Sequence, residues 1–281
     1  MVKKQGDAVH LFLLLMALTA FLVAYQPVLK DLVSVWIRSD DYSHGFFVAP
    51  LSLYLLWSKR KAFQQLRTHW SPPGGICFVI FLTLYVLAMY AGIKTVASLS
   101  LVGSVAGAVW FLFGWSVFKE ASFPITFLLF MIPIPEQVYT SLTIPLQLLV
   151  SKVSVSITAL LGIPVFREGN VLYLPEKTFE VVKACSGIRS LMTLLCLCAI
   201  MAYFFLRKNH LRFILFISGI PAAITVNIFR VLLMIMGYHY LSVDLTTGAL
   251  HTFFGTVIFI FSVFIVYLLK GVLVRWDPQE R

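Results

Sequence analysis

The chain has 281 residues, 60% of them hydrophobic and only 12% charged, with a mean hydropathy of +0.92 and 25 phenylalanines. Soluble domains sit near about 45–50% apolar and about 25% charged, so this composition excludes a soluble two-domain fold, a disordered or collagen-like chain and a disulfide-stapled scaffold. It describes a polytopic membrane protein, whose net charge of +10 is read as a topology signal and not as a nucleic-acid footprint.

A spanning helix needs about 20 mainly apolar residues. The first candidate runs from Val9 to Leu29 behind Lys3 and Lys4. It is read as an anchor, because it is long and no small-residue cleavage site follows. A polar stretch from Lys30 to Ser43 leads to a short apolar run, His44 to Trp57, and then to a basic segment, Ser58 to Trp70, with Lys59, Arg60, Lys61 and Arg67. Further spans are expected at Gly75–Ile93, Val96–Phe118 and, beyond Lys119 and Glu120, at Ala121–Ile134. Tyr139–Leu161 is apolar but punctuated by Ser and Thr, so it reads as an interfacial helix or a further span. Residues 164–183 alternate and turn like a small extended hairpin. Three clear spans close the chain, at Cys185–Leu206, Phe213–Met236 and Gly248–Lys270.

Charge then orients the bundle. With eight spans, and Tyr139–Leu161 not crossing, one face collects 13 Lys/Arg against 4 Asp/Glu and the other 7 against 8. The basic face belongs in the cytoplasm, together with both termini. The fold class is therefore all-α, a polytopic transmembrane helical bundle of about eight spans with a short extended outer-face segment near 164–183. No internal repeat or linker divides it, so residues 1–281 read as one integral-membrane domain.

This orientation brings three distant segments to one depth. Cys185 opens a span that descends from the outer face. Arg230 lies 17 residues into an ascending span, about 25 Å up a hydrocarbon core of about 30 Å. His251 opens the last descending span. A thiol at a helix N-terminus is favoured as thiolate, and Ser186 and Gly187 leave room for a substrate backbone. An arginine inside a span implies a partner or a watery cavity and can hold an oxyanion. His251 is a candidate general acid or base, in competition with His44 at the same rim. Asn227, one turn before Arg230, and Arg189, one turn into the Cys185 helix, are candidate supporting residues. Cys77, Cys196 and Cys198 read as small hydrophobes, and Cys196 and Cys198 point to different helix faces, which argues against a metal site. No cofactor is expected.

At these residues the chain resembles a known family. Ala184-Cys-Ser-Gly-Ile-Arg-Ser190, Asn227-Ile-Phe-Arg230 and His251 with Gly255 are similar to the three signature blocks of the exosortase/archaeosortase family. Asp41-Tyr-Ser-His-Gly-Phe46, Tyr54-Leu-Leu-Trp57, Phe127-Leu-Leu-Phe-Met-Ile-Pro-Ile-Pro135 and Gly162-Ile-Pro-Val-Phe-Arg-Glu-Gly-Asn170 also look like its segments, so roughly residues 40–260 are covered. The resemblance implies a membrane cysteine protease or transpeptidase. Its implied partners are exported proteins with a C-terminal PEP-CTERM tail, and its place is the inner membrane with the active site facing the periplasm. It implies Cys185 as nucleophile, Arg230 as stabiliser of the thiolate or transition state, and His251 as acid/base. A transporter or assembly component for polysaccharide or lipid-linked substrates, without cysteine catalysis, is the alternative that the residues alone leave open.

Overall fold

The computed structural model describes residues 2–175, 177–180, 188–246 and 248–277. It is largely helical, because in hydrocarbon each backbone N–H and C=O needs a partner within its own segment. The helices are α1 (Val2–Ala24), α2 (Gln26–Arg38), α3 (Gly45–Ser58), α4 (Arg60–Gln65), α5 (Pro72–Tyr90), α6 (Lys94–Phe127), α7 (Glu136–Leu160), α8 (Ile188–Phe205), α9 (Asn209–Leu241) and α10 (Gly248–Arg275). Among the described residues between α7 and α8 lie three short strands, β1 (Phe166–Glu168), β2 (Val171–Leu174) and β3 (Lys177–Glu180). The chain gathers into two compact units, Met1–Pro133 and Ile134–Arg281.

By length and composition α5, α6, α7, α9 and α10 can each cross a membrane. A sixth crossing is α1 with α2 if their two parts, Leu15–Ala24 and Gln26–Arg38, form one span bent by 59°. Pro27 accounts for the bend. It has no N–H to give Val23, and its ring crowds that carbonyl. Tyr25, at the bend, is fully buried, with its hydroxyl 2.7 Å from Ser104 Oγ.

In the first unit the main departure from the expected spans is in α6. A break was expected at Lys119 and Glu120, but it falls at Gly114, whose φ of 84° suits only glycine and where a Cβ would lie 2.7 Å from the His69 ring. Glu120 sits inside the helix because its charge is answered, while Lys119 is exposed. Pro124 cannot donate to the carbonyl of Glu120, four residues back. Lys59 Nζ donates to that carbonyl at 3.1 Å and pairs with Glu120 Oε1 at 2.5 Å. Ser52 Oγ then donates to the Pro124 carbonyl at 2.7 Å and His44 Nε2 to the Phe130 carbonyl at 3.1 Å. Partners 59, 52 and 44 thus meet 120, 124 and 130, so residues 115–131 run antiparallel to α3. The break makes two segments of α6, as the sequence suggested, five residues earlier than expected.

Segments α1–α2, α3, α5, the two parts of α6, α8, α9 and α10 fall where the eight spans were expected, against five or six helices that are long and apolar enough to cross. Two of these segments are short: α3 has 14 residues and the apolar part of α8 is Arg189–Phe205. Helix α7, left out of the eight, has 25 residues and the apolarity of a span. Its buried positions, Thr143, Gln147, Val150, Ser151, Ser154 and Thr158, recur every three or four residues. Hydroxyls and an amide therefore share its packed face.

In the second unit the strands form an antiparallel meander, β1-β2-β3, with Glu168 opposite Val171 across a turn that contains Gly169 at φ 62°. Leu172 and Leu174 point inward and join Val150, Ile163, Val231, Met234, Ile235 and Leu245 in one apolar cluster. A second cluster, with Leu194, Cys198, Leu215 and Val266 among its members, packs α8, α9 and α10 together. Helix α9 takes part in both, through Leu215 in one and Val231 to Ile235 in the other. Its C-terminal half therefore stands beside the meander.

Candidate active site

The site is built where α9 and α10 approach each other. Arg230 Nη2 and His251 Nε2 are 2.8 Å apart, and His251 Nδ1 is 2.9 Å from the Leu245 carbonyl oxygen. A carbonyl only accepts and a guanidinium only donates. Nδ1 therefore carries the imidazole proton, Nε2 offers its lone pair to Arg230, and the ring is neutral in this arrangement. Both side chains are half-buried. Arg230 Nε is buried with no acceptor among the described residues, which leaves a donor of the guanidinium unspent.

Gly255 explains how the guanidinium reaches the histidine. It lies one turn beyond His251 on α10, and a Cβ there would fall 2.8 Å from Arg230 Nη2. The bare backbone is the floor on which the arginine rests. A Gly four residues after a His on a helix shares its face, so the spacing of 251 and 255 has a steric reason.

The loop before α10 holds the other side of His251. Ser242 ends α9 in the left-handed region at φ 51°, and Val243 N–H donates to the Gly237 carbonyl at 3.2 Å. Leu245 is buried over Gly237, where a Cβ would lie 2.8 Å from its Cδ1. Asp244 Oδ1 accepts from the Thr246 backbone N–H at 2.9 Å and from its hydroxyl at 2.5 Å, while Oδ2 pairs with Lys177 of β3. The Lys177 ammonium and the Thr246 hydroxyl hold the Asp244 carboxyl well below its usual range, at about 2.

The residues singled out in the sequence are distributed as follows. Arg230 and His251 are in direct contact. Asn227 is buried one turn before Arg230 on α9. Arg189 is exposed in the first turn of α8, and its carbonyl accepts from Thr193 Oγ1 at 2.8 Å. Cys185, Ser186 and Gly187 lie outside the described residues. His44 belongs to the first unit, where its imidazole ties the start of α3 to Phe130. Cys198 is fully buried with its Sγ 3.1 Å from where a Gly219 Cβ would be, and Cys77 and Cys196 are half-buried. Among the described residues no group of His, Cys, Asp and Glu is placed to hold a metal ion.

Asp244 and Lys177 were not anticipated. The available signal was Asp244-Leu-Thr246, an acidic side chain two residues before a backbone N–H, which is the pattern of an Asx turn. Its pairing with Lys177 spans 67 residues and depends on how the meander docks, which local pattern does not carry.

Comparison with known proteins bears on the whole chain. No curated protein and no solved structure matches it. The model of one family, described as transmembrane exosortase, matches residues 36–268, a stretch that includes α3, α9, the Arg230–His251 contact and Gly255. The chain therefore belongs to the transmembrane exosortase family.

Proposed function

We propose that this protein is a membrane-embedded cysteine protease or transpeptidase that removes the C-terminal PEP-CTERM tail of exported proteins at the outer face of the inner membrane. The observation that carries this reading is the Arg230–His251 contact. It joins a proton acceptor to a guanidinium whose buried Nε has no acceptor among the described residues. In the proposed topology both termini are cytoplasmic and α7 lies along the outer face. The excess of Lys and Arg on the cytoplasmic side of that arrangement supports it.

The chemistry follows from the donors and acceptors. His251 Nε2 takes the proton of the Cys185 thiol, and Arg230 is released from it to face the charge that develops. The thiolate attacks the scissile carbonyl carbon, and the carbonyl π electrons move to oxygen. Guanidinium N–H groups stabilise that oxyanion. The oxyanion collapses, the C–N bond breaks, and His251 returns its proton to the leaving amine of the tail. A thioester on Cys185 remains. An incoming amine gives transpeptidation and water gives hydrolysis. Because Nε2 is occupied by Arg230 at rest, proton uptake by the histidine and release of the arginine are one coupled event.

The test is co-expression of a tailed substrate with the wild type or with Cys185→Ala, followed by the size of the substrate in the membrane fraction. Wild type shortens it and the variant, present at equal abundance, does not. Equal shortening by both removes the nucleophile. Failure of either to shorten it, with export intact in both, favours a transport or assembly component. Outward topology is checked with a membrane-impermeant thiol reagent on intact cells. Labelling of Cys185 only after the inner face is opened overturns it.

A further inference from the structure

The Leu245 carbonyl that accepts from His251 and the Thr246 N–H that donates to Asp244 belong to the same peptide unit, since the bond between residues 245 and 246 contains both. That unit is planar, and in its trans form the N–H and C=O point in opposite directions. One edge is held by Asp244 Oδ1 at 2.9 Å and the other by His251 Nδ1 at 2.9 Å. The carboxylate is itself anchored, by the Thr246 hydroxyl at 2.5 Å and by Lys177 of β3. Lys177 lies in turn 5.5 Å from the centre of the Tyr238 ring on α9.

We propose that Asp244 is the positioning residue of the Arg230–His251 pair and that it acts on the imidazole through this one peptide unit. It does so in two ways. It fixes the plane, so that the Leu245 oxygen stays aimed at Nδ1 and the tautomer with Nε2 free to accept is the one populated. An anion at the amide N–H also polarises the peptide and makes its oxygen a stronger acceptor, because hydrogen bonds in a chain reinforce one another. In hydrolases where a carboxylate contacts the histidine directly, it sets tautomer and ring orientation in the same way. Here an amide is interposed, so the negative charge stays outside the helix pair, beside a lysine, and not between α9 and α10. The inference rests on the protease reading for its kinetic consequence, but the tautomer is a property of the fold alone.

The experiment therefore uses two readouts on the full-length protein in detergent micelles. Nitrogen NMR of protein labelled with 15N-histidine reports which ring nitrogen carries the proton, with His251 identified by the signal lost in His251→Gln. Initial rates of tail removal from a tailed substrate, normalised to folded enzyme, give kcat and KM. In Asp244→Ala the peptide plane is freed. The His251 signal changes to that of mixed tautomers, and kcat falls about tenfold with KM unmoved, as expected for a misaimed acid/base group. In Asp244→Asn, which keeps an oxygen for Thr246 but not the charge, the tautomer persists and kcat falls about threefold, because the acceptor is weaker. An unchanged His251 signal in Asp244→Ala overturns the proposal. If that variant does not accumulate, an unchanged kcat in Asp244→Asn overturns it. A changed signal in Asp244→Ala, together with a wild type that removes no tail, upholds the positioning role and refutes the protease reading.

Discussion

Arg230 donates from Nη2 to Nε2 of His251 over 2.8 Å, so the two residues bridge α9 and α10. This resting contact has consequences for substitution at both ends.

Arg230→Lys keeps the charge and loses the planar fork, so its donors are no longer held at fixed angles to two acceptors. The variant is expected to insert and accumulate like wild type and to remove tails about tenfold more slowly, equivalent to about 1.4 kcal/mol of transition-state stabilisation. The measurement is the initial rate per enzyme in the membrane. A wild-type rate would reduce Arg230 to a generic positive charge.

Gly255→Ala places a methyl group 2.8 Å from Nη2, too close for the guanidinium to stay where it is. The clashing atom is the far end of a flexible side chain, so the helix pair survives and the guanidinium moves. Tail removal should fall by about tenfold or more, since misplacement by an ångström is costly to a catalytic group. The thermal midpoint should change little. A large drop in midpoint with the rate per folded enzyme unaltered would mean that Gly255 serves helix packing and nothing else.

Lys59→Met leaves the Glu120 carbonyl without the donor that stands in for the missing N–H of Pro124, and it strands the carboxylate. The ion pair is partly exposed, so the expected loss is about 1–2 kcal/mol. Pro124→Ala restores the N–H to the helix. In the Lys59→Met background it should therefore cost less than it does in wild type. Denaturation in detergent of the two single variants and the double variant gives the coupling, and strict additivity would show that Lys59 and Pro124 act independently.

The Asp244 carboxyl, held at about 2 against an ordinary 3.8, fixes the acid limit of the loop. A group whose folded value is depressed contributes stability above its unfolded value and loses it as pH falls through the folded one. The tie to Lys177 should thus be intact from neutrality down to pH about 4 and disappear between about 4 and 2. Unfolding midpoints followed over that window should decline in wild type and decline less in Asp244→Asn. Equal slopes would separate the carboxylate from the acid transition.

Most of the architecture was legible because burial in lipid makes it so. Long apolar runs in lipid can only be helices. The short meander at residues 166–180 was also visible, from alternation and from the Gly169-Asn170 turn. Gly114 was missed because a charged pair is ordinarily a better sign of a span end than a glycine. The charge of Glu120 was cancelled by Lys59, 61 residues away, and no window along the chain holds both. Helix rise put Arg230 and His251 at one level of the sequence-based bundle, and their side chains are in contact. Asp244 escaped because its role is exercised through a backbone amide, and a peptide group has no letter in the sequence. His44, the other candidate histidine, contacts the Phe130 carbonyl within the first unit.

Helix α9 contains 33 residues, about 50 Å of helix, and the hydrocarbon layer it enters is about 30 Å thick. Tilting absorbs part of the surplus and the remainder must emerge among the headgroups. Arg230 lies eleven residues from the helix end, about 16 Å below it, on the stretch whose level shifts as the helix settles. Bilayer thickness therefore becomes a variable of the Arg230–His251 pair: lipids with longer or shorter acyl chains raise or lower the guanidinium against the water boundary.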